Sequence, residues 1–330
     1  MKIFLSLIVF ISFNTKAQTV KLLTSGTKTS LRGLSVVSDK IIWASGSNGM
    51  ITRSTDGGTS WKWFTVKGFE KNDFRDIEAF DSLTAVIMTV AEPAFILKTV
   101  DGAETWKVVY ENKTKGMFLD AMDFEDNKTG VVVGDPLTNK FFIAQTFDGG
   151  NTWQEDNKQI HAVADSGEAC FASSGTNVRM LSKHAACFVS GGLRSQLFVK
   201  DKRIVLPILQ GKESTGANSI AIKNKKTFIV VGGDFNTPDS TLKNCVISFN
   251  KGKIWMQPVI APHGYRSCVE YINKRTWVSC GLNGVDYSTD NGNTWQWISK
   301  ESFHVCRKAK KGDAVFLAGS NGKIGKLKPL

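Results

Sequence analysis

The sequence predicts an all-β chain in which seven four-stranded sheets close into a ring. Three observations predict it. An eight-residue motif recurs through the chain, its closing tryptophans at 61, 106, 153, 255 and 295. Short runs of β-branched and aromatic residues, bounded by Gly, Asn and Asp, fill the space between copies as strands do. The last unit is one strand short, and a β-rich run near the start of the chain is free to complete it.

The motif is an octet. It reads STDGGTSW at Ser54–Trp61, TVDGAETW at Thr99–Trp106, TFDGGNTW at Thr146–Trp153 and STDNGNTW at Ser288–Trp295, with a worn copy, SFNKGKIW, at Ser248–Trp255. A hydroxyl residue opens each copy. Asp56, Asp101, Asp148 and Asp290 follow two places later, and Trp61, Trp106, Trp153 and Trp295 close them. A carboxylate there accepts backbone N–H groups of its own turn, and Gly supplies the positive φ angles of a tight turn. The tryptophan restarts a strand with a large apolar face to bury and an N–H to satisfy. A calcium loop needs several oxygen ligands and a closing Glu, and each octet has one carboxylate. The octet is read as a structural clamp.

Tryptophan spacings of 45, 47 and 40 residues, and a double gap of 102, set the unit. The first unit reads as strands at Leu31–Val37, Ile41–Ala44, Met50–Arg53 and Trp61–Val66, with Gly46–Gly49 and the octet as its turns. Units two and three run Phe74–Tyr110 and Phe118–Glu155. The fourth, Glu168–Leu209, lacks an octet and turns near Lys200–Lys202. Ala217–Val259 and Tyr265–Ile298 follow. Phe303–Leu327 supplies three strands only, and Val20–Thr24 is assigned as its fourth, removing an open edge. Seven such sheets make a β-propeller, residues 18–330 forming one domain.

The octets are Asp boxes, and the chain resembles the Asp-box (BNR repeat) propellers. It is most similar to the photosystem II stability and assembly factor family, which has exported bacterial relatives. The resemblance rests on the boxes, on the turns Gly46–Gly49 and Gly319–Gly322, and on Arg-led first strands. It implies a chaperone-like binding scaffold. Relatives of this type also carry a loose oxidoreductase label. The sequence has no GxGxxG or GxG for a dinucleotide and no CxxCH for haem, so no cofactor is expected.

Residues 1–17 read as a signal peptide: Lys2, the apolar run Ile3–Phe13, and Thr15-Lys16-Ala17 before Gln18. The run is too short to span a bilayer, and no cysteine near the cleavage site marks a lipoprotein. The expected location is secreted or periplasmic. Residues 1–17 carry Lys2 and Lys16 and no acid, so the formal charge falls from +12 to +10. That charge favours anionic partners through long-range attraction, and scattered lysines in an exported, monomeric protein do not point to nucleic acid. Six cysteines stand at 170, 187, 245, 268, 280 and 306. Cys268 and Cys280 flank the turn Asn273–Arg275 as opposite hairpin residues would; a disulfide and two free buried thiols remain equal readings.

In a propeller the starts of the innermost strands and the turns between second and third strands share one face, where a ligand site belongs. Aligning those starts puts Arg32, Arg75, Arg266 and His304 in units one, two, six and seven, neighbours once the ring closes. Two readings stand side by side: each cation braces its own blade, or the four form an arc that binds carboxylates or phosphates. Turns on the same face add Glu92, Asp135, Arg194 and Asp234. Asp135 and Asp234 would be the acid pair of a sialidase-like glycan hydrolase, although they lie two units apart and no sialidase Arg-Ile-Pro motif precedes Ser54. HExxH, HxH and GxSxG are absent, so no metal site and no catalytic set is assigned. The expectation is a non-enzymatic scaffold whose channel mouth binds a protein partner or another anionic polymer.

Overall fold

The computed structural model describes residues 18–155, 162–200 and 202–328. The signal-peptide reading of residues 1–17 lies outside them. Every regular element among the described residues is a strand, and the strands form seven sheets around an axis.

Blade one is Leu31–Val36, Ile42–Gly46, Met50–Ser54 and Lys62–Thr65, all antiparallel neighbours in chain order. Blades two, three and six repeat that order from Phe74–Ala79, Leu119–Phe124 and Cys268–Asn273 outward. Blade seven contains Val305–Lys308, Val315–Ala318 and Ile324–Leu327, and its outer strand is Val20–Thr24, with Val20 opposite Leu327. The ring then closes. Leu31 N–H donates to Gly319 O (3.1 Å), and Leu31, Leu34 and Ile42 share a core with Phe303, Phe316 and Leu317.

Two units depart from the expected pattern. In blade five the outer strand shrinks to one bridge, in which Ile247 and Met256 exchange backbone hydrogen bonds. In unit four the innermost strand starts at Val178; Glu168–Ala169, expected to begin it, pairs instead with Gly191–Gly192. The segment 171–177 between them leaves the sheet and lies across the central channel. Ser174 Oγ donates to Ser267 O (2.7 Å) in blade six, and Thr176 Oγ1 to Ser219 Oγ (2.6 Å) in blade five. Ile220 N–H of blade five donates to Thr176 O, and Arg307 of blade seven to Gly175 O (3.1 Å). Arg32 and Arg75, of blades one and two, hold Ser173 O and Ala172 O. The channel is plugged.

The octets are built as the sequence suggests. Asp56 Oδ1 accepts the N–H groups of Thr59 and Ser60 (3.0 and 2.9 Å), and Ser54 Oγ accepts Gly58 N–H (2.9 Å). Asp101, Asp148 and Asp290 make matching bonds to Thr105, Thr152 and Thr294, and in the worn copy Asn250 does the same to Lys253 and Ile254. Hydrogen bonds from Ser60 above all hold Asp56 down to about 2, and those from Thr105 do the same for Asp101. The tryptophans differ from expectation in one respect: the indole N–H groups of Trp61, Trp106, Trp153 and Trp295 have no acceptor among the described residues, so packing alone holds them. Gly57 N–H bonds to Lys40 O and Gly102 N–H to Leu83 O. Each box is thereby tied to the turn between first and second strands, on the face away from the channel mouth.

Candidate functional site

The plug forms the floor of a bowl of about 500 Å³ at the channel mouth. Its rim is set by a repeated backbone device. The innermost strands of blades one, two, three and five each carry a register shift, between Leu31 and Gly33, Phe74 and Asp76, Leu119 and Ala121, and Ala217 and Ser219. The residue skipped in each case is Arg32, Arg75, Asp120 or Asn218. A bulge leaves its extra residue out of the ladder and re-aims its side chain; Arg32, Arg75 and Asn218 line the bowl, whereas Asp120 is enclosed. His304 takes this place in blade seven: Phe303 N–H donates to Gly281 O just as Leu31 N–H does to Gly319 O.

The same frame corrects one of the aligned positions and fills another blade. In blade six it is Arg266 N–H that makes the equivalent bond, to Gly232 O (2.9 Å), so Ser267 matches Arg32 and Arg266 stands one residue early. Arg266 is wholly buried, donates from Nε to Asp286 Oδ2 (2.6 Å) and from its NH1 to Tyr265 O (2.8 Å), and does not line the bowl. It braces its blade. In blade three the matching residue is Asp120.

Arg32 and Arg75 reach the bowl from adjacent blades. Arg32 donates from NH1 to Ser173 O (3.2 Å); Arg75 donates from NH1 to Ala172 O (3.3 Å) and from Nε to Asp73 Oδ2 (2.8 Å). A guanidinium has five donors, so both keep several for a ligand. Burial first, and then the Arg75 charge, pull Arg32 below the usual arginine range. His304 is buried, with Nε2 between Ser30 Oγ (3.2 Å) and Ser320 Oγ (2.9 Å). Burial, then Arg32 and Arg75, depress it to about 3. It is therefore a neutral ring at ordinary pH, and the cationic arc consists of Arg32 and Arg75.

Asp135 lines the bowl, with Oδ1 accepting Cys170 N–H (2.8 Å), and burial raises it to about 6. Beneath it, burial and then the Asp135 charge push the enclosed Asp120 well above the carboxylate range. Asp234 is not brought to Asp135. It is buried in its own turn, accepting Asn236 N–H (2.9 Å), and lies outside the bowl. Glu92, exposed, accepts Gly116 N–H, and exposed Arg194 stands 3.7 Å from Asp165; neither lines the bowl. Facing the arginines is an aromatic wall that the sequence reading did not single out. Phe171 meets Phe235 edge-on at 5.9 Å, and Phe235 meets Tyr265 at 6.3 Å. Tyr265 Oη donates to Asn218 Oδ1 (2.8 Å). The signal was present in Phe171, which opens a run of small residues with no strand pattern.

No protein-family model matches the sequence, and no curated protein does. Among solved structures the chain is similar to YCF48 bound to D1 peptide, with a TM-score of 0.66 at 15% identity over 97% of both chains. It is similar to YCF48 from Cyanidioschyzon merolae, with a TM-score of 0.64 at 16% identity over 94% of this chain and 99% of that one. The WD40 propeller domain of Doa1 gives 0.63 at 12% identity, over 94% of this chain and 97% of that one. Identities this low carry the fold, a seven-bladed propeller, and nothing more.

Proposed function

We propose that this chain is an exported, non-enzymatic binding scaffold whose channel-mouth bowl takes an anionic segment of a partner protein. One observation carries the reading: Arg32 and Arg75, held side by side by plug carbonyls, face the wall of Phe171, Phe235 and Tyr265 across one cavity. Two guanidiniums kept together in a partly desolvated site repel each other, and a carboxylate between them relieves that repulsion while accepting paired N–H donors. Aromatic rings opposite give an apolar side chain on the same segment somewhere to go. That a solved YCF48 carries a bound peptide supports a peptide as ligand for this fold. Export rests on the sequence of residues 1–17 and predicts a mature chain starting at Gln18, which N-terminal sequencing of the secreted or periplasmic fraction checks.

The binding test is a peptide array in which acidic and apolar residues are varied, followed by titration calorimetry on the hits. Peptides pairing a carboxylate with an aromatic or aliphatic side chain should bind, and binding should weaken with salt. Arg32→Ala/Arg75→Ala should cost at least about tenfold in Kd per folded molecule, about 1.4 kcal/mol. Equal affinity in the double variant at equal salt refutes the assignment.

A further inference from the structure

A second candidate site lies away from the bowl, between blades six and seven. Cys268 opens the innermost strand of blade six, Cys280 stands directly opposite it on the next strand, and Cys306 comes from the innermost strand of blade seven. Cys268 and Cys280 carry free thiols, as does Cys306. The three side chains are wholly buried, and their sulfurs all lie within 4.8 Å of one another, with Cys306 Sγ 3.6 Å from Cys268 Sγ.

We propose that these three sulfurs form a three-coordinate site for a soft, thiophilic cation of the Cu(I) class. Three thiolates about 2.3 Å from a central ion in one plane stand about 4.0 Å apart, close to the triangle the fold already imposes. Soft thiolate ligands select Cu(I) and related ions, whereas structural Zn(II) asks for a fourth ligand. Among the described residues no His, Asp, Glu or further Cys joins the cluster.

A backbone donor already meets the cluster. Cys306 N–H donates to Cys268 Sγ at 3.4 Å. An ion bound here displaces the thiol protons and ties blade six to the blade that closes the ring. Because the site is enclosed, the ion enters while the two blades are apart.

The test uses the thiol-reduced full chain, native and refolded, against Cu(I) held by bicinchoninate under oxygen-free conditions with ascorbate. The refolded chain should withdraw one Cu(I), gain thermal stability, and show three sulfurs at about 2.3 Å by X-ray absorption. Cys170→Ala/Cys187→Ala/Cys245→Ala should keep this uptake, and Cys306→Ala should lose it. Failure of the refolded wild type to take up the ion overturns the proposal. So does uptake without a gain in melting temperature, or a coordination shell of fewer than three sulfurs. These wild-type readings decide even where Cys306→Ala folds poorly.

Discussion

Replacing Gly175 by Ala tests whether the plug is a fitted part of the fold. Gly175 has φ +63°, and a Cβ there would fall well inside contact distance of the Asp76 carboxyl carbon and both its oxygens. Asp76 cannot readily give way: its oxygens accept the N–H groups of Ile77 and Met122, both at 2.8 Å, and the residue is buried. The left-handed backbone costs about 1 kcal/mol for a residue with a Cβ, and forcing a methyl into a packed site adds about 1–3 kcal/mol. The expected loss is about 2–4 kcal/mol. Gly68→Ala is the matched control, with φ +82° and nothing within 4 Å of its Cβ position, so it bears the backbone cost alone. Urea unfolding of both variants measures the difference through the midpoint at constant m. The folded Gly175→Ala chain should also bind peptide more weakly, because Ala172 O and Ser173 O aim Arg75 and Arg32. If Gly175→Ala loses no more than Gly68→Ala, the plug does not press on Asp76 and the reasoning fails.

Arg266→Ala leaves buried Asp286 without its guanidinium and should cost about 3–5 kcal/mol, read by urea unfolding, with peptide affinity per folded molecule unchanged. His304 titrates near 3 in the folded chain, below its ordinary 6.5. From pH 6.5 downward the unfolded state therefore takes up a proton that the native state refuses, and stability falls as pH falls. His304→Gln should recover about 2 kcal/mol of the loss between pH 6 and pH 4, measured as the difference between the two urea-unfolding profiles; parallel profiles refute it. Deleting Thr19–Ser25 removes the outer strand of blade seven, and should lower the melting temperature and open Ile324–Leu327 to amide exchange well before other third strands.

Most of the fold was legible because its local chemistry repeats. A hydroxyl, an Asp and a Trp at fixed spacing specify one turn, and Asn48 and Gly49, with φ of 62° and 66°, specify another. The closing strand was legible from a count, since Val20–Thr24 was the one β-rich run left over. The arc was legible only in part. Arg32 and Arg75 follow a bulge at a repeated place, but residue type does not announce where a bulge falls, and the alignment puts Arg266 one residue off. In a strand that slip turns a side chain to the opposite face. The plug was hidden for a different reason. Its residues Ala172, Ser173, Ser174, Gly175 and Thr176 carry no period, and what places them are bonds to blades distant in the chain.

The plug also decides what kind of ligand the bowl can hold. An unblocked channel would admit a chain that threads from face to face. Here Ser174, Thr176 and Asn177 are wholly buried on the axis, and beneath them Arg179, Glu270, Arg307 and Asp123 stand in a chain of ion pairs of 3.7–3.8 Å. A threading segment would have to break those bonds and strand those charges, at a cost of several kcal/mol for each ion left unpaired. The bowl is open at one end only, so its ligand enters and leaves on the same side. A chain terminus or the tip of a loop meets that requirement. A terminus has the further advantage of bringing its own α-carboxylate to Arg32 and Arg75 whatever its last side chain is. Amidating the C-terminus of a bound peptide separates the two: a terminus loses affinity about as much as in Arg32→Ala/Arg75→Ala, whereas a loop bound through an Asp or Glu side chain does not.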